Sequence, residues 1–220
     1  LKDSSGNGHD GKIHGAKWVS AAELWAPKFP TPEQQEFLDQ LKGLPVPVQV
    51  AFVREKMKEL NPGGGVSIYP DGRARINLPQ SRSIWPIAAL TDLTTLDIYN
   101  EGGALIDLSP LRGLPLKRLG IHHARYPDLS TLEGLKLESF QCYGTKLRNL
   151  KPLAGMPLKR LEIRHNGGIN DLSGLEGMPL KELIADSTHV KDLSPLKGLP
   201  LKILNLAGTN VLDLTPLEGM

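Results

Sequence analysis

The sequence predicts an α/β repeat fold: a solenoid with a parallel β-sheet on its concave face and short 3₁₀ turns on its convex face. Three observations carry that prediction. The phrase Asp-Leu-Ser/Thr recurs at Asp107, Asp128, Asp171, Asp192 and Asp213, with Asn149-Leu150-Lys151 as a variant, at spacings of 21, 21, 22, 21 and 21 residues. Between these phrases stands L-x-x-L-x-[IL], seen as Leu93/Leu96/Ile98, Leu116/Leu119/Ile121, Leu158/Leu161/Ile163 and Leu201/Leu204/Leu206, with Leu137/Phe140/Cys142 and Leu180/Leu183/Ala185 as looser copies. Each Asp-Leu phrase then runs into a segment such as Ser109-Pro110-Leu111-Arg112-Gly113-Leu114, which has room for about one helical turn.

Periods of about 20 to 29 residues with this signature mark leucine-rich repeats, in which one strand per repeat stacks in parallel on the next. Residues 76–220 form this solenoid, with about six to seven repeats, and residues 26–75 form its N-terminal cap. In the cap, Thr31 to Leu41 and Val48 to Leu60 carry helical spacing through Phe37, Leu38 and Leu41, then Val50, Phe52, Val53, Met57 and Leu60. Asn61-Pro62-Gly63 stops the second helix. Val66 to Tyr69, the turn Pro70-Asp71-Gly72 and Ala74 to Leu78 read as a hairpin whose second strand starts the solenoid sheet. Ile84-Trp85-Pro86-Ile87 and Leu90 overlay Leu108-Ser109-Pro110-Leu111 and Leu114, so the first convex turn is expected there.

Within each coil the period-two pattern sends Leu119 and Ile121 inward and Arg118, Gly120 and His122 outward. Three residues beyond the last inward position stand Thr145, Asn166, Thr188 and Thr209, side chains that hydrogen-bond backbone and turn the chain out of the strand; Ser81 is expected to play this part in an earlier coil. The return segment offers a capping hydroxyl, a proline for the first helical position and a glycine for the exit. Each coil buries roughly five aliphatic side chains, worth about 1.5 to 3 kcal/mol apiece, against the ordering entropy of the whole coil. One coil alone does not stay folded, which is why the array needs both neighbours and a cap.

The outward strand positions are where a partner would dock. They give a candidate face of Tyr99, Arg118, His122, Tyr143, Arg160, Glu162, Arg164 and Asp186. A solvated face is polar in any case; the sharper expectation is that Arg118, His122, Tyr143, Arg160 and Arg164 form one basic and aromatic patch that binds an acidic segment of a protein partner, since arginine and tyrosine are enriched at interface hot spots.

Other functions find few residues. The 26 basic and 24 acidic residues leave a formal charge of +2, so no strong field draws the chain to nucleic acid or an anionic membrane. Cys142 is the only cysteine, cannot form an internal disulfide, and occupies an inward position expected to be core. No apolar run reaches the roughly 18 residues of a membrane span and no signal-peptide pattern opens the chain, so the compartment stays open. The repeated aspartates lie in a column rather than converging, which points to turn capping and not catalysis. His122 and His123 are adjacent and point differently, and no cofactor or metal site is expected. A monomer without catalytic residues is the expectation, and both ends read as cut points in a longer chain.

The phrases Asp192-Leu-Ser-Pro-Leu-Lys-Gly-Leu-Pro-Leu201 and Leu206-Ala-Gly-Thr-Asn-Val-Leu-Asp-Leu214 resemble short bacterial leucine-rich repeats of the internalin-like kind. A nearer resemblance is to repeat regions of planctomycete proteins, where a lead-in similar to Val53-Arg-Glu-Lys-Met-Lys-Glu-Leu-Asn-Pro-Gly63 precedes such repeats. Several parent proteins of that type carry a serine/threonine kinase domain upstream. The resemblance covers about Leu44 to Met220 and implies a protein-interaction arm of a multidomain bacterial protein. It brings no kinase chemistry into this chain, which lacks a kinase glycine-rich loop, a V-A-I-K lysine, an H-R-D loop and D-F-G.

Residues 1–25 are expected to be a linker or a detached lectin-like segment, because Asp3 to Val19 resembles the opening of concanavalin-like lectin domains without the jelly roll that should follow. This suggests the alternative of a carbohydrate or cell-surface binding segment. Two partial motifs there fail on chemistry. Gly6 to Lys12 fits a phosphate loop, but Ile13 replaces the magnesium-binding hydroxyl. Asp3, Ser5 and Asn7 imitate half a calcium loop that ends on His14 instead of glutamate.

Overall fold

The computed structural model describes residues 29–78, 83–101, 107–125 and 129–220. The expected segment 1–25, Ser81 and Asp128 lie outside the described residues.

Two helices open the described chain. Helix α1, Pro32–Leu41, starts with a reciprocal cap: Thr31 Oγ1 accepts from Gln34 N–H at 3.3 Å while Gln34 Oε1 accepts from Thr31 N–H at 2.8 Å. Helix α2, Val46–Leu60, begins two residues before the expected Val48. The reason is Pro47, which sits at the second helical position, where the N–H it lacks would have no intrahelical partner. Asn61 ends α2 and ties it to the first coil, its Nδ2 donating to Met57 O at 2.8 Å and Ser83 O at 3.2 Å. Phe37 meets the edge of Trp85 at 5.0 Å, so α1 rests on the first convex turn.

Strands β1, Gly65–Ile68, and β2, Arg73–Asn77, form the expected antiparallel hairpin. From β2 onward the ladder is parallel: β3, Thr95–Tyr99; β4, Arg118–His122; β5, Ser139–Tyr143; β6, Arg160–Glu162; β7, Glu182–Ile184; and β8, Ile203–Asn205 stack in chain order. Gly72 makes the junction possible. Its φ of 78° suits only a residue without a side chain, a Cβ would lie 2.8 Å from Asp92 O, and its carbonyl accepts from the N–H of both Thr94 and Thr95.

Between strands the convex side carries 3₁₀ turns at Trp85–Ala89, Ser109–Leu111, Leu129–Leu132, Lys151–Leu153, Ser173–Leu175, Ser194–Leu196 and Thr215–Leu217. The expected capping hydroxyl is not what caps them. The aspartate two residues earlier accepts the N–H: Asp107 Oδ1 takes Ser109 N–H at 2.8 Å, and Asp171 and Asp192 take Ser173 and Ser194 at the same distance. The serine hydroxyl instead donates to that same carboxylate, at 2.9 Å in Asp107 and Asp171. Asn149 does the backbone half of this job for Lys151 at 2.9 Å, which explains why the variant phrase is tolerated. Every turn after the first leaves through a left-handed glycine, Gly113 and Gly198 among them, whereas Trp85–Ala89 leaves through Leu90.

The core is a set of columns. Leu96, Leu119, Phe140, Leu161 and Leu183 form one and Ile98, Ile121, Cys142, Ile163 and Ala185 another, all essentially inaccessible to solvent. Bulky Phe140 shares its strand face with small Cys142, which conserves volume in that coil. Burial pushes the Cys142 thiol up to about 12, and its Sγ lies 2.9 Å from Thr145 Oγ1, so it stays a protonated core group. At the far end the columns open: Leu204 and Leu206 are half-buried, and Leu212 and Leu214 are exposed.

Candidate functional site

The parallel ladder turns alternate strand residues onto one continuous face. In register across it, Arg73, Thr95, Arg118, Ser139, Arg160, Glu182 and Ile203 make one margin. Arg75, Asp97, Gly120, Gln141, Glu162, Ile184 and Asn205 make the middle. Tyr99, His122 and Tyr143 continue in register as the other margin, and backbone bonds carry that edge on through Arg164 and Asp186.

The eight expected face residues fall into three clusters and one isolated arginine. Tyr99 and His122 stack at 4.5 Å with an interplanar angle of 19°, and the Arg75 guanidinium lies over the Tyr99 ring at 5.3 Å. Arg160, Glu162, Arg164 and Asp186 form an ion-pair network with Glu182: Arg160 reaches Glu182 at 2.6 Å and Glu162 at 3.3 Å, and Arg164 Nε lies 2.9 Å from Glu162 and 3.6 Å from Asp186. Arg164 Nε has no hydrogen bond despite that short distance, so its attraction to Glu162 is Coulombic and not directional. Tyr143 turns away from Tyr99 and meets His123 and His165 edge-on at 5.0 and 5.1 Å. Arg118 stands apart, exposed and with no ion pair among the described residues. The basic half of the expected patch is therefore mostly charge-compensated, and Arg118 is its uncompensated member.

Gly120 was expected to face outward, and it does, yet it is buried. The glycine has no side chain, and its neighbours lean over it: a Cβ there would lie 2.5 Å from Asp97 Oδ1 and 2.8 Å from His122 Nε2. His122 Nε2 is buried without a hydrogen bond. Burial holds the imidazole below its usual range, opposed by the charge of Asp97, so His122 is neutral near pH 7. Beside this spot a groove of about 620 Å³ runs over strands β2 to β6, with Arg73, Arg118, Lys159 and Arg160 in its walls.

Two features escaped sequence reasoning. A residue just past the strand, His123 and Gly144 directly after β4 and β5 and His165 and Ser187 three residues beyond the ends of β6 and β7, takes left-handed φ values of 59°, 60°, 55° and 57°. Its N–H still bonds the next coil, as His123 does to Tyr143 O at 2.9 Å and Ser187 to Ala207 O at 2.8 Å, which offsets a cost of roughly 1 to 2 kcal/mol for a non-glycine residue. The geometry aims His123 and His165 at Tyr143, and only the glycines at 144 and 208 hinted at it. The other feature is a charged column one residue before each of strands β4 to β8. Lys117 and Lys159 share Glu138, at 3.6 and 2.6 Å, and Lys181 and Lys202 continue the column. Its period of 21 to 22 residues was visible in the sequence.

Among the described residues, no group of three or more His, Cys, Asp and Glu side chains is placed to hold a metal ion, and no helix is long and apolar enough to cross a membrane.

Fold and face together define a class: a short-coil leucine-rich-repeat solenoid with a helical and hairpin cap. Among solved structures, it is similar to an internalin (inlF) from Listeria monocytogenes, with a TM-score of 0.58 and 22% identity over 78% of this chain. That alignment takes in 58% of the internalin's own chain, so this chain spans well under two thirds of that relative. An internalin C2 (inlC2) from the same organism aligns over 66% of this chain and 76% of its own, with 24% identity and a TM-score of 0.48. No family model and no curated protein matches the chain. The likeness to the first of these, with the parallel sheet and 3₁₀ turns, establishes the leucine-rich-repeat fold and nothing about ligands.

Proposed function

We propose that this chain is a non-catalytic scaffold that binds a protein partner on its concave face, as a monomeric arm of a larger multidomain bacterial protein. The observation that carries the reading is the face itself. Seven parallel strands hold rings, ion pairs and the unpaired Arg118 on one surface whose backbone is fixed by the ladder. A rigid polar and aromatic surface loses little conformational entropy on binding, which favours specific protein recognition. The multidomain setting rests on the resemblance of Val53 to Gly63 and the repeats to planctomycete proteins, some of which carry a kinase domain. The carbohydrate alternative draws no support from the face, where Tyr99 already carries Arg75 and His122 against its ring.

A random-peptide phage library selected on the whole chain tests this. Selected clones should bind at least fivefold more weakly to Tyr143→Ala and Arg164→Ala, on the concave side, and equally well to Lys197→Ala, on a convex turn. Clones that respond only to the convex substitution would sink the reading.

A further inference from the structure

Resting on that concave-face reading, we propose that the groove over strands β2 to β6 seats an extended acidic segment of the protein partner, anchored on Arg118. The charges around the groove carry the inference. Arg73, Arg118, Lys159 and Arg160 stand in its walls against Asp97 and Glu138. Three of those cations already have a carboxylate: Arg73 holds Asp71 at 2.7 Å, Lys159 holds Glu138 at 2.6 Å and Arg160 holds Glu182 at 2.6 Å. Arg118 has none among the described residues and is exposed between them. Nor can Glu138 serve it, because that carboxylate is divided between Lys117 and Lys159.

A planar guanidinium left open on a concave wall accepts a carboxylate in two-point geometry, which a lone lysine does not. Lys117 and Lys159 flank that point with one more positive charge than Glu138 cancels, so a second acidic residue in the segment also finds a partner. Across from Arg118 the opposite margin carries Tyr99, the neutral His122 and Tyr143, with the Arg75 guanidinium over the Tyr99 ring as its cation. The cations in the groove walls stand on the Arg118 margin, which draws acidic side chains chiefly to that side.

Dimensions give its length. Five strands at about 4.8 Å spacing span about 19 Å, or about six extended residues at about 3.3 Å each. Midway lies Gly120, whose place on the floor is taken by the Asp97 carboxylate and the His122 ring, so the segment crosses there over those two side chains. A nucleic-acid strand would need a far larger positive field than a chain with formal charge +2 provides.

The test measures fluorescence anisotropy of three labelled probes against the full chain: a hexapeptide of alternating glutamate and serine, its glutamine counterpart, and a single-stranded DNA oligonucleotide of matching charge. The glutamate peptide should bind at least tenfold more tightly than the other two. Arg118→Glu should weaken it at least tenfold, while Lys197→Glu, which makes the same change in net charge on a convex turn, should stay within twofold; circular dichroism melts establish that both variants fold. Insensitivity to Arg118→Glu, absence of glutamate-peptide binding, or equal binding of the DNA overturns the proposal. If library-selected clones still depend on Tyr143 while the glutamate peptide ignores Arg118, the acidic segment falls alone. If neither depends on the concave face, the scaffold reading falls with it.

Discussion

At Asn166 a single carboxamide joins two coils. Its Oδ1 accepts from Thr145 N–H, Thr145 Oγ1 and Leu147 N–H at 2.9 to 3.0 Å, and its Nδ2 lies 2.6 Å from Cys142 O, 3.1 Å from Ile163 O and 3.2 Å from Arg164 O. Thr188 and Thr209 have shorter reach and close only their own turns, donating to Ala185 O at 2.8 Å and Leu206 O at 2.7 Å. The sequence shows that a polar, backbone-binding residue belongs at position 166. It does not show that four of these six contacts come from the preceding coil, because those groups lie 19 to 24 residues away and only stacking brings them near. Asn166→Ala strands buried donors and acceptors in both coils, so urea unfolding should show a loss of about 3 to 5 kcal/mol. Thr209→Ala, at a half-buried site with one such bond, should cost about 1 kcal/mol.

The convex turns show the same division at the level of elements. Repetition of Asp-Leu-Ser-Pro-Leu placed a turn in every coil, and the structure has one in each. The sequence pointed to both the repeated aspartate and the serine as caps, since either can accept a backbone N–H; the structure gives the N–H to the aspartate, and the φ and ψ of the intervening leucine decide between them. Hydrogen bonds from Ser173, Ser194 and Thr215 hold Asp171, Asp192 and Asp213 below the usual carboxylate range. A carboxylate depressed on folding stabilises the native state above its unfolded pKa, near 3.9, and that contribution is lost as pH falls through the folded value. Asparagine keeps the acceptor without the charge, as Asn149 already does. The triple variant Asp171→Asn, Asp192→Asn, Asp213→Asn should therefore melt within a few degrees of the parent at pH 7. Between about pH 4 and pH 2 it should lose less stability than the parent; an unchanged acid limb in thermal melts would show that these caps do not titrate on folding.

For the whole molecule, stability is a property of neighbours. Leu193 is buried between coils, whereas Leu214, the same position one coil later, is exposed. Leu193→Ala should cost about 2 to 5 kcal/mol by leaving a cavity in the core, and Leu214→Ala well under 1 kcal/mol, as read from denaturant midpoints. Equal losses at the two sites would mean that the columns do not depend on stacking.

The repeat spacing, the inward leucines and the turn chemistry were all local in the chain, so the sequence by itself determined the solenoid, its parallel sheet, its cap and which side chains share the concave face. Tertiary structure alone decided how those side chains pair. Arg160 and Arg164 are quenched by Glu162, Glu182 and Asp186 while Arg118 is left open, and Gly120 is covered by Asp97 and His122. Each of these contacts joins residues on different coils or depends on a rotamer chosen among several, and side-chain charge is compensated by whatever lies nearest in space, a distance that the order of residues along the chain does not contain.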